Sequence, residues 1–246
     1  MKYMGSKSKV AKFIVPIIQE YIDKTKPWAY IEPFCGGCNI IDKVAAPKRF
    51  AHDKQKYLIA LLQNLNRLDS LPEFVSKKLY DDVRECYNRG TEKYSDWYIG
   101  AIGFLASYNG RFFDGGYAGI VKTKAGPERN YYKEALANLK AQAKSLKGVE
   151  FICGDYRLID TENAVIYCDP PYDNTKEYSV SRKFDYEEFW RWVRKMSVNN
   201  IVLVSCNEAP EDFECIWQKD VKRTMNSADT KLRAIERLYI IKKQED

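Results

Sequence analysis

The chain has 246 residues, 45% of them hydrophobic and 30% charged, which is enough for one large core or for a core with an inserted subdomain. No stretch approaches the roughly 20 apolar residues of a membrane helix, and no signal-peptide pattern follows the basic N-terminus, so we expect a cytoplasmic protein without a membrane partner. The net charge of +6 permits a nucleic-acid partner without demanding one.

The first part of the chain is predicted to alternate between helices and strands. Apolar spacing indicates helices over 10–21, interrupted by Pro16, and over 55–68, with a further helix starting in 39–44. Short apolar runs predict strands at 28–33 and 49–53.

The middle of the chain has poor periodicity and is rich in tyrosine, glycine, asparagine and charge. Helices are predicted at 98–106 and 131–147, with a glycine-rich aromatic loop at 107–119 between them. The last part is predicted to form strands at 149–153, 164–168, 200–205 and 238–241, with a helix at 186–196. Strands that alternate with helices predict an α/β fold with a mostly parallel sheet.

Four acidic residues lie at or just after the ends of predicted strands: Glu32, Asp53, Asp155 and Asp169. Each could be an ordinary turn residue. Ligands of such sheets bind beyond the carboxyl ends of the strands, so the repeated pattern favours one common crevice.

The seven cysteines argue against a disulfide framework, because their number is odd and they lie in apolar, strand-like segments. Cys35 and Cys38 form a C-x-x-C pair, but a zinc site needs two more ligands and His52 is the single histidine. We therefore predict no metal and interpret the pair as small residues in a tight turn.

The segment Asp169-Pro170-Pro171-Tyr172, directly after a predicted strand, gives the strongest indication of chemistry. The lone pair of an adenine amino group is delocalised into the ring, so an enzyme that methylates it must accept hydrogen bonds from its hydrogens. The Asp169 carboxylate and the Pro170 carbonyl can each accept one, and Tyr172 can stack on the base. The alternative interpretation is a Pro-Pro turn that merely closes a strand.

A glycine turn follows the first predicted strand, at Gly36 and Gly37, and Asp53 lies 21 residues after Glu32. An acid at about this distance is where a ribose hydroxyl is held in nucleotide-binding sheets. The spacing is neither G-x-G-x-x-G nor a P-loop, so no phosphate binding is implied. The pattern favours an adenosine cofactor without phosphates.

With these motifs the chain resembles the Dam-type, D12-class DNA adenine-N6 methyltransferases, including those of bacteriophages. The resemblance rests on Tyr3-Met4-Gly5-Ser6-Lys7, Glu32-Pro33-Phe34-Cys35-Gly36, Asp53, Asp155-Tyr156 and Asp169-Pro170-Pro171-Tyr172, in the family's order. It implies a Rossmann-like, S-adenosylmethionine-dependent core in a bacterial or phage-infected cytoplasm. The cofactor contacts that it implies are Tyr3, Gly5, Lys7, Glu32, Pro33, Phe34, Gly36, Asp53, Asp155, Tyr156 and Asp169.

The resemblance also implies a mostly helical target-recognition insertion at 71–147, between core segments 1–70 and 148–246. The partner would be double-stranded DNA, from which the target base is flipped. Tyr108, Asn109 and Arg111 would contact DNA, with Arg111 suited to a guanine edge and Asn109 to an adenine. Basic and polar residues that could bind phosphates follow in the sequence: Lys122, Lys124, Arg129, Ser179, Arg182 and Lys183.

One position departs from the family pattern. Cys38 stands where the family usually has a second glycine, and a side chain there could crowd the methionine part of the cofactor. Two alternatives stay open: an RNA or protein N-methyltransferase, and a weak or inactive DNA-binding homologue. We expect a monomer or weak dimer.

Overall fold

The computed structural model describes residues 1–122, 126, 128–171, 184–222 and 233–242. In chain order they form α1 (Ala11–Thr25), β1 (Ala29–Glu32), β2 (Arg49–Asp53), α2 (Lys56–Gln63), α3 (Lys77–Arg89), α4 (Asp96–Leu105), β3 (Ile120–Lys122), β4 (Glu128–Asn130), α5 (Tyr131–Ala143), β5 (Val149–Cys153), β6 (Ala164–Cys168), α6 (Tyr186–Ser197), β7 (Ile201–Cys206), β8 (Phe213–Lys222) and β9 (Arg233–Ile241).

Among the described residues, seven strands form one sheet in the order β5-β2-β1-β6-β7-β9-β8. The first five of these are parallel, and β9 runs antiparallel to both of its neighbours. The order of the five parallel strands is that of a Rossmann-like doubly wound sheet. The predicted α/β class with a mostly parallel sheet is therefore confirmed.

The central strands β1 and β6 are apolar except for Glu32 at the end of β1, because helices cover both faces of the sheet. Every residue of β1 and β6 is buried. One core cluster includes Ile14 of α1 and Leu58 of α2, and a second includes Phe189 of α6. None of the helices in the described ranges combines the length and apolar character needed to cross a bilayer.

Two predictions for the N-terminal part were wrong. Pro16 lies inside α1, but the helix continues to Thr25, so the loss of one backbone donor does not interrupt it. The segment 39–44 forms only the 3-10 turn Ile41–Lys43 instead of starting a helix. Ile41 and Val44 are buried, so this short link packs into the same core cluster as α1 and α2.

The interval 71–147 contains a helix that the periodicity analysis missed. In α3 the buried side chains are Tyr80, Val83 and Cys86, one helical turn apart. Its ends carry recognisable signals: Ser76 Oγ accepts a hydrogen bond from the Leu79 amide, and Gly90 ends the helix in the left-handed region. Strand β8 was also missed.

Side chains of this interval belong to the same core cluster as those of α1 and α2, including Tyr80, Ile99 and Tyr132. The interval therefore packs onto the sheet-covering helices. Its role as a target-recognition insertion, with boundaries at 70 and 148, stays a prediction.

Candidate active site

A cavity of about 1330 Å³ opens at the carboxyl edge of the parallel strands. It exceeds the roughly 300–1,000 Å³ typical of a pocket for one small ligand. The four strand-end acids all line it, namely Glu32, Asp53, Asp155 and Asp169. They meet because they end or follow β1, β2, β5 and β6, which are contiguous in the sheet.

The glycine turn and Asp53 are joined by hydrogen bonds. The Gly36 amide donates to Asp53 Oδ2 and the Gln55 amide to Asp53 Oδ1, both at 3.0 Å. Burial raises the pKa of Asp53, and these amides oppose the rise. Each carboxylate oxygen has two acceptor sites, so Asp53 retains capacity to accept from a ligand hydroxyl.

Aromatic rings form one wall of the cavity. The Phe34 ring lies 5.3 Å from that of Tyr156 and 5.8 Å from that of Phe184, measured between ring centroids. All three line the cavity, and Trp192 packs behind Tyr156. Such a wall can bind a flat ring. Phe184 was missed because it lies twelve residues after Tyr172, without a strand or turn signal of its own.

Asp155 is bound by two cations of the chain itself. Arg157 pairs with both of its oxygens at 2.8 Å, and Lys54 Nζ lies 3.0 Å from Oδ2. The Arg157 guanidinium holds the pKa of Asp155 well below its usual range. Tyr156 lines the cavity as part of the aromatic wall. A cofactor contact by Asp155 stays a prediction.

Asp169 lies in an ion cluster with Lys7 and Glu236, of which Glu236 was not predicted from the sequence. Lys7 Nζ is 3.1 Å from Asp169 Oδ1 and 3.2 Å from Glu236 Oε2, and the Lys7 side chain is only 4% exposed. Burial disfavours the ammonium, but the carboxylates outweigh it and raise the pKa of Lys7 above its usual value.

Glu236 was missed because β9 was predicted to start only at residue 238. A usable signal existed. Glu236 is two residues before Leu238, which is fully buried, and side chains two apart in a strand share a face. A charged residue on the inward face of a strand indicates a buried ionic partner.

The rest of the Asp169-Pro170-Pro171-Tyr172 segment is partly described. Pro170 and Pro171 line the cavity, and the Pro171 carbonyl accepts a hydrogen bond from the Tyr186 hydroxyl. Tyr172 lies outside the described residues. Base stacking by Tyr172 therefore stays a prediction.

Glu32 is almost completely buried at the end of β1. The Tyr30 hydroxyl donates to its carboxyl at 2.8 Å. Burial, with a smaller contribution from the Asp169 charge, raises the pKa of Glu32 to about 8. A protonated Glu32 at neutral pH is therefore an internal hydrogen-bonding group more than a charge for a ligand.

Residues 1–7, which we call the N-terminal strap, run between the glycine turn and the loop 107–119. A Cβ on Gly36 would lie 2.9 Å from the Tyr3 ring, and one on Gly110 would lie 2.3 Å from the Lys2 carbonyl oxygen. Gly5, which has a positive φ, and Lys7 line the cavity from this strap. The glycines thus allow a close approach that any side chain would block.

Cys38 adopts a φ of 55°, in the left-handed region that favours glycine. Its side chain is fully buried in the core and does not line the cavity. The expected crowding of the cavity by this side chain is therefore wrong. Within the described ranges no group of three or more His, Cys, Asp or Glu side chains could hold a metal ion.

Only some of the residues predicted to contact DNA line the cavity. Asn109 and Arg111 line the main cavity, whereas Tyr108 does not and is 43% exposed. Lys122 lies in β3, and its side chain is not described. Arg129, on β4, is paired with Glu134. Lys124, Ser179, Arg182 and Lys183 lie outside the described residues.

Comparison with known proteins identifies a family that the chain matches over most of its length. Residues 3–194 match the model of a family described as D12 class N6 adenine-specific DNA methyltransferase. The chain is 25% identical over 193 residues to the Type II methyltransferase M.FokI of Planomicrobium okeanokoites, covering 70% of this chain but only 28% of that relative. It is 22% identical over 247 residues to the Type II methyltransferase M.MjaIII of Methanocaldococcus jannaschii, covering 87% of this chain and 85% of that relative.

Similarity to solved structures is weaker. PH1948 from Pyrococcus horikoshii superposes with a TM-score of 0.45 and 8% identity, over 98% of this chain and 86% of that one. SMU.472 complexed with SAH superposes with a TM-score of 0.34 and 12% identity, over 96% of this chain and 54% of that one. Superpositions at these values carry no conclusion about function or ligand.

Proposed function

Since the chain belongs to the D12 class N6 adenine-specific DNA methyltransferases, we propose that it transfers a methyl group from S-adenosylmethionine to N6 of adenine in double-stranded DNA. The observation that carries the proposal is the shared cavity. Asp53 with its glycine turn, Asp169-Pro170-Pro171 and Arg111 all line it. The family match supports the D12 class and does not single out the Dam type within it.

The residues of the cavity fit the donor. Asp53 can accept hydrogen bonds from ribose hydroxyls, and the wall of Phe34, Tyr156 and Phe184 suits a flat adenine. When bound, S-adenosylmethionine supplies a methyl group activated by a sulfonium charge. The carboxylates of the cavity favour a cationic group of this kind.

Asp169 and Pro170 act on the target amine. The Asp169 carboxylate accepts a hydrogen bond from one N6 hydrogen and the Pro170 carbonyl from the other, which orients the nitrogen lone pair towards the methyl group. Lys7, 3.1 Å from Asp169, stabilises the carboxylate form that this hydrogen bond requires. The chain thereby positions the amine and supports the positive charge that develops on it.

DNA binds on the side of the loop 107–119. A base inside a duplex cannot enter the cavity, so the target must be flipped out at a cost of a few kcal/mol. Asn109 and Arg111 line the cavity from this loop, which supports contacts of both side chains with bases next to the target. The proposal also includes an oligomeric state of monomer or weak dimer, a location in the cytoplasm of a bacterial or phage-infected cell, and a role in restriction-modification.

The test is methyl incorporation from the labelled donor into double-stranded DNA, RNA and protein side by side. We expect incorporation into DNA alone, recovered as N6-methyladenine after hydrolysis to nucleosides. Asp169→Ala should lose at least about 10³-fold in kcat, because it removes a group that acts on the reacting atoms. The exposed acid Asp160 gives the matched control, Asp160→Ala, with unchanged turnover.

Incorporation into cytosine, RNA or protein would contradict the proposed substrate. Retention of substantial turnover by Asp169→Ala would contradict the proposed role of Asp169. Failure of the wild-type chain to bind the donor would favour the inactive DNA-binding homologue.

A further inference from the structure

Gln142, near the end of α5, contacts the glycine turn that follows β1. Its side-chain Nε2 donates to the carbonyl oxygens of Gly37, at 3.1 Å, and Cys38, at 2.9 Å. The same nitrogen lies 3.0 Å from Asp42 Oδ2. Its Oε1 accepts a hydrogen bond from the Met1 amino group, so one side-chain amide binds both the glycine turn and the N-terminal strap.

The sheet holds the beginning of the same turn. The Gly36 amide donates to Asp53 Oδ2 at 3.0 Å, and the Cys35 amide donates to the His52 carbonyl at 2.8 Å. The turn is therefore fixed from β2 at its beginning and from α5 at its end. Gly36 and Gly37 both line the cavity, so a shift of either part of the turn changes the cavity wall.

Gln142 also fixes the orientation of peptide groups within the turn. The C=O and N–H of a trans peptide point in opposite directions, and the described residues contain no cis peptide bond. With the Gly37 carbonyl directed at Gln142, the Cys38 amide points the other way and donates to the Cys35 carbonyl at 2.8 Å. If the Gln142 amide is removed, the Gly37 and Cys38 carbonyls each lose a donor, and the end of the turn is less constrained.

We propose that Gln142 is a positioning residue that holds the glycine turn in the shape that binds the methyl donor. This inference rests on the proposed function. Gln142 belongs to the interval 71–147, whose predicted role is target recognition, so that interval also supports the donor site. Among the described residues its side chain hydrogen-bonds to neither Asp169 nor Pro170. We therefore expect Gln142 to act on donor binding and not on the chemical step.

The first variant is Gln142→Met, which nearly keeps the size of the side chain and removes its hydrogen bonds. The Kd for S-adenosylmethionine, measured by calorimetry, and the KM for this donor should each rise roughly tenfold, because about two hydrogen bonds are lost. On DNA at saturating donor, kcat should change by less than about twofold. A mere loss of folded protein would instead lower kcat and leave the KM for the donor unchanged.

Gln142→Glu separates hydrogen-bond donation from shape. A carboxylate still accepts from the Met1 amino group, but it cannot donate to the Gly37 and Cys38 carbonyls. Because the new charge would attract the sulfonium, the titration also uses S-adenosylhomocysteine, which lacks that charge. Its affinity should fall roughly tenfold in both variants. Gln142→Glu also provides the measurement if Gln142→Met does not fold.

Gln19 of α1 offers a matched control. Its Nε2 donates to Asp23 Oδ1 at 3.0 Å and to the Ala45 carbonyl at 3.1 Å, and its Oε1 accepts from the Ala45 amide. These bonds are of the same types as those of Gln142, but Gln19 does not line the cavity. Gln19→Met should therefore leave the affinity for both ligands unchanged.

An unchanged donor affinity in Gln142→Met would overturn this inference and leave the proposed function standing. So would wild-type affinity for S-adenosylhomocysteine in Gln142→Glu, since the shape of the side chain would then be sufficient. An equal loss of affinity in Gln19→Met would also overturn the inference, because it would indicate a general effect on stability. Failure of the wild-type chain to bind either ligand would overturn the proposed function, and this inference with it.

Discussion

The parallel strands and the loop 107–119 bring residues to the same cavity by different means. Asp53 and Asp169 arrive there because each directly ends or follows a parallel strand, and the ends of parallel strands meet at one edge. Asn109 and Arg111 follow no strand of the sheet. They reach the cavity because Gly110 lets the loop pack on the backbone of the N-terminal strap.

This difference shows where each part is vulnerable. The strand ends are fixed by the hydrogen-bond ladder of the sheet, in which neighbouring strands lie about 4.8 Å apart. The acidic side chains at these ends therefore respond mainly to the charges and hydrogen bonds around them. The loop depends on a few close backbone contacts, in which one added methyl group has no space. Changes to the strand ends should therefore act through ionisation and binding, and changes to the loop through its placement.

The largest effect is expected at the strand end of β1. Because burial raises the pKa of Glu32 from 4.5 to about 8, the folded protein binds a proton that the unfolded chain has lost. The free energy of unfolding should fall as pH rises through this window, by up to about 1.4 kcal/mol per pH unit. Glu32→Gln, which mimics the protonated acid, should remove this slope.

Urea unfolding from pH 5 to pH 8 measures the slope. Asp82 of α3 provides the control, because it is partly exposed and paired with Lys93, so Asp82→Asn should leave the slope in place. An identical slope in wild type and Glu32→Gln would show that Glu32 does not set the pH dependence of the strand-end region.

The next effect compares one glycine from each region. Gly110→Ala places a methyl group against the Lys2 carbonyl at a φ of 67° and should cost about 2–3 kcal/mol of stability. Gly36→Ala meets the Tyr3 ring, which can move, and should cost about 1 kcal/mol. Gly36→Ala should nevertheless weaken donor binding more, because the clash with Tyr3 would displace the backbone amide of residue 36 that donates to Asp53.

Chemical denaturation and calorimetric donor titration of both variants test this pair. The comparison fails if Gly36→Ala is the less stable protein, or if Gly110→Ala loses more donor affinity than Gly36→Ala. Either result would mean that the two regions do not divide binding and placement as the contacts indicate.

The smallest effect is expected for Arg111, which lines the cavity from the loop. Arg111→Ala should weaken DNA binding by about tenfold and broaden the set of methylated sequences, as expected for loss of one base contact. Donor affinity should not change. Sequencing of modified adenines measures the preference, and Arg89→Ala, at an exposed pair with Glu85 on α3, is the control. An unchanged methylated sequence would remove Arg111 from the residues that read DNA.

The sequence by itself determined the fold class and the common edge. Buried strands such as β1 and β6 are continuous apolar runs, and an acid at the end of such a run has only one edge to occupy. Periodicity failed for α3, whose buried positions are spaced one turn apart among charged residues, although its cap residues Ser76 and Gly90 mark both ends. It also failed for the short link after the glycine turn, where Pro47 follows too soon for a helix.

Only the tertiary structure decided which distant residues meet. The sequence separation of Lys7 and Glu236 carries no signal of their contact, because β9 reaches the edge by running antiparallel into the sheet. The packing of Gly110 on Lys2 and the direction of the Cys38 side chain into the core are likewise set by neighbours far along the chain. Local pattern fixes which face and which end a residue occupies, whereas pairing between remote segments depends on how the whole core packs.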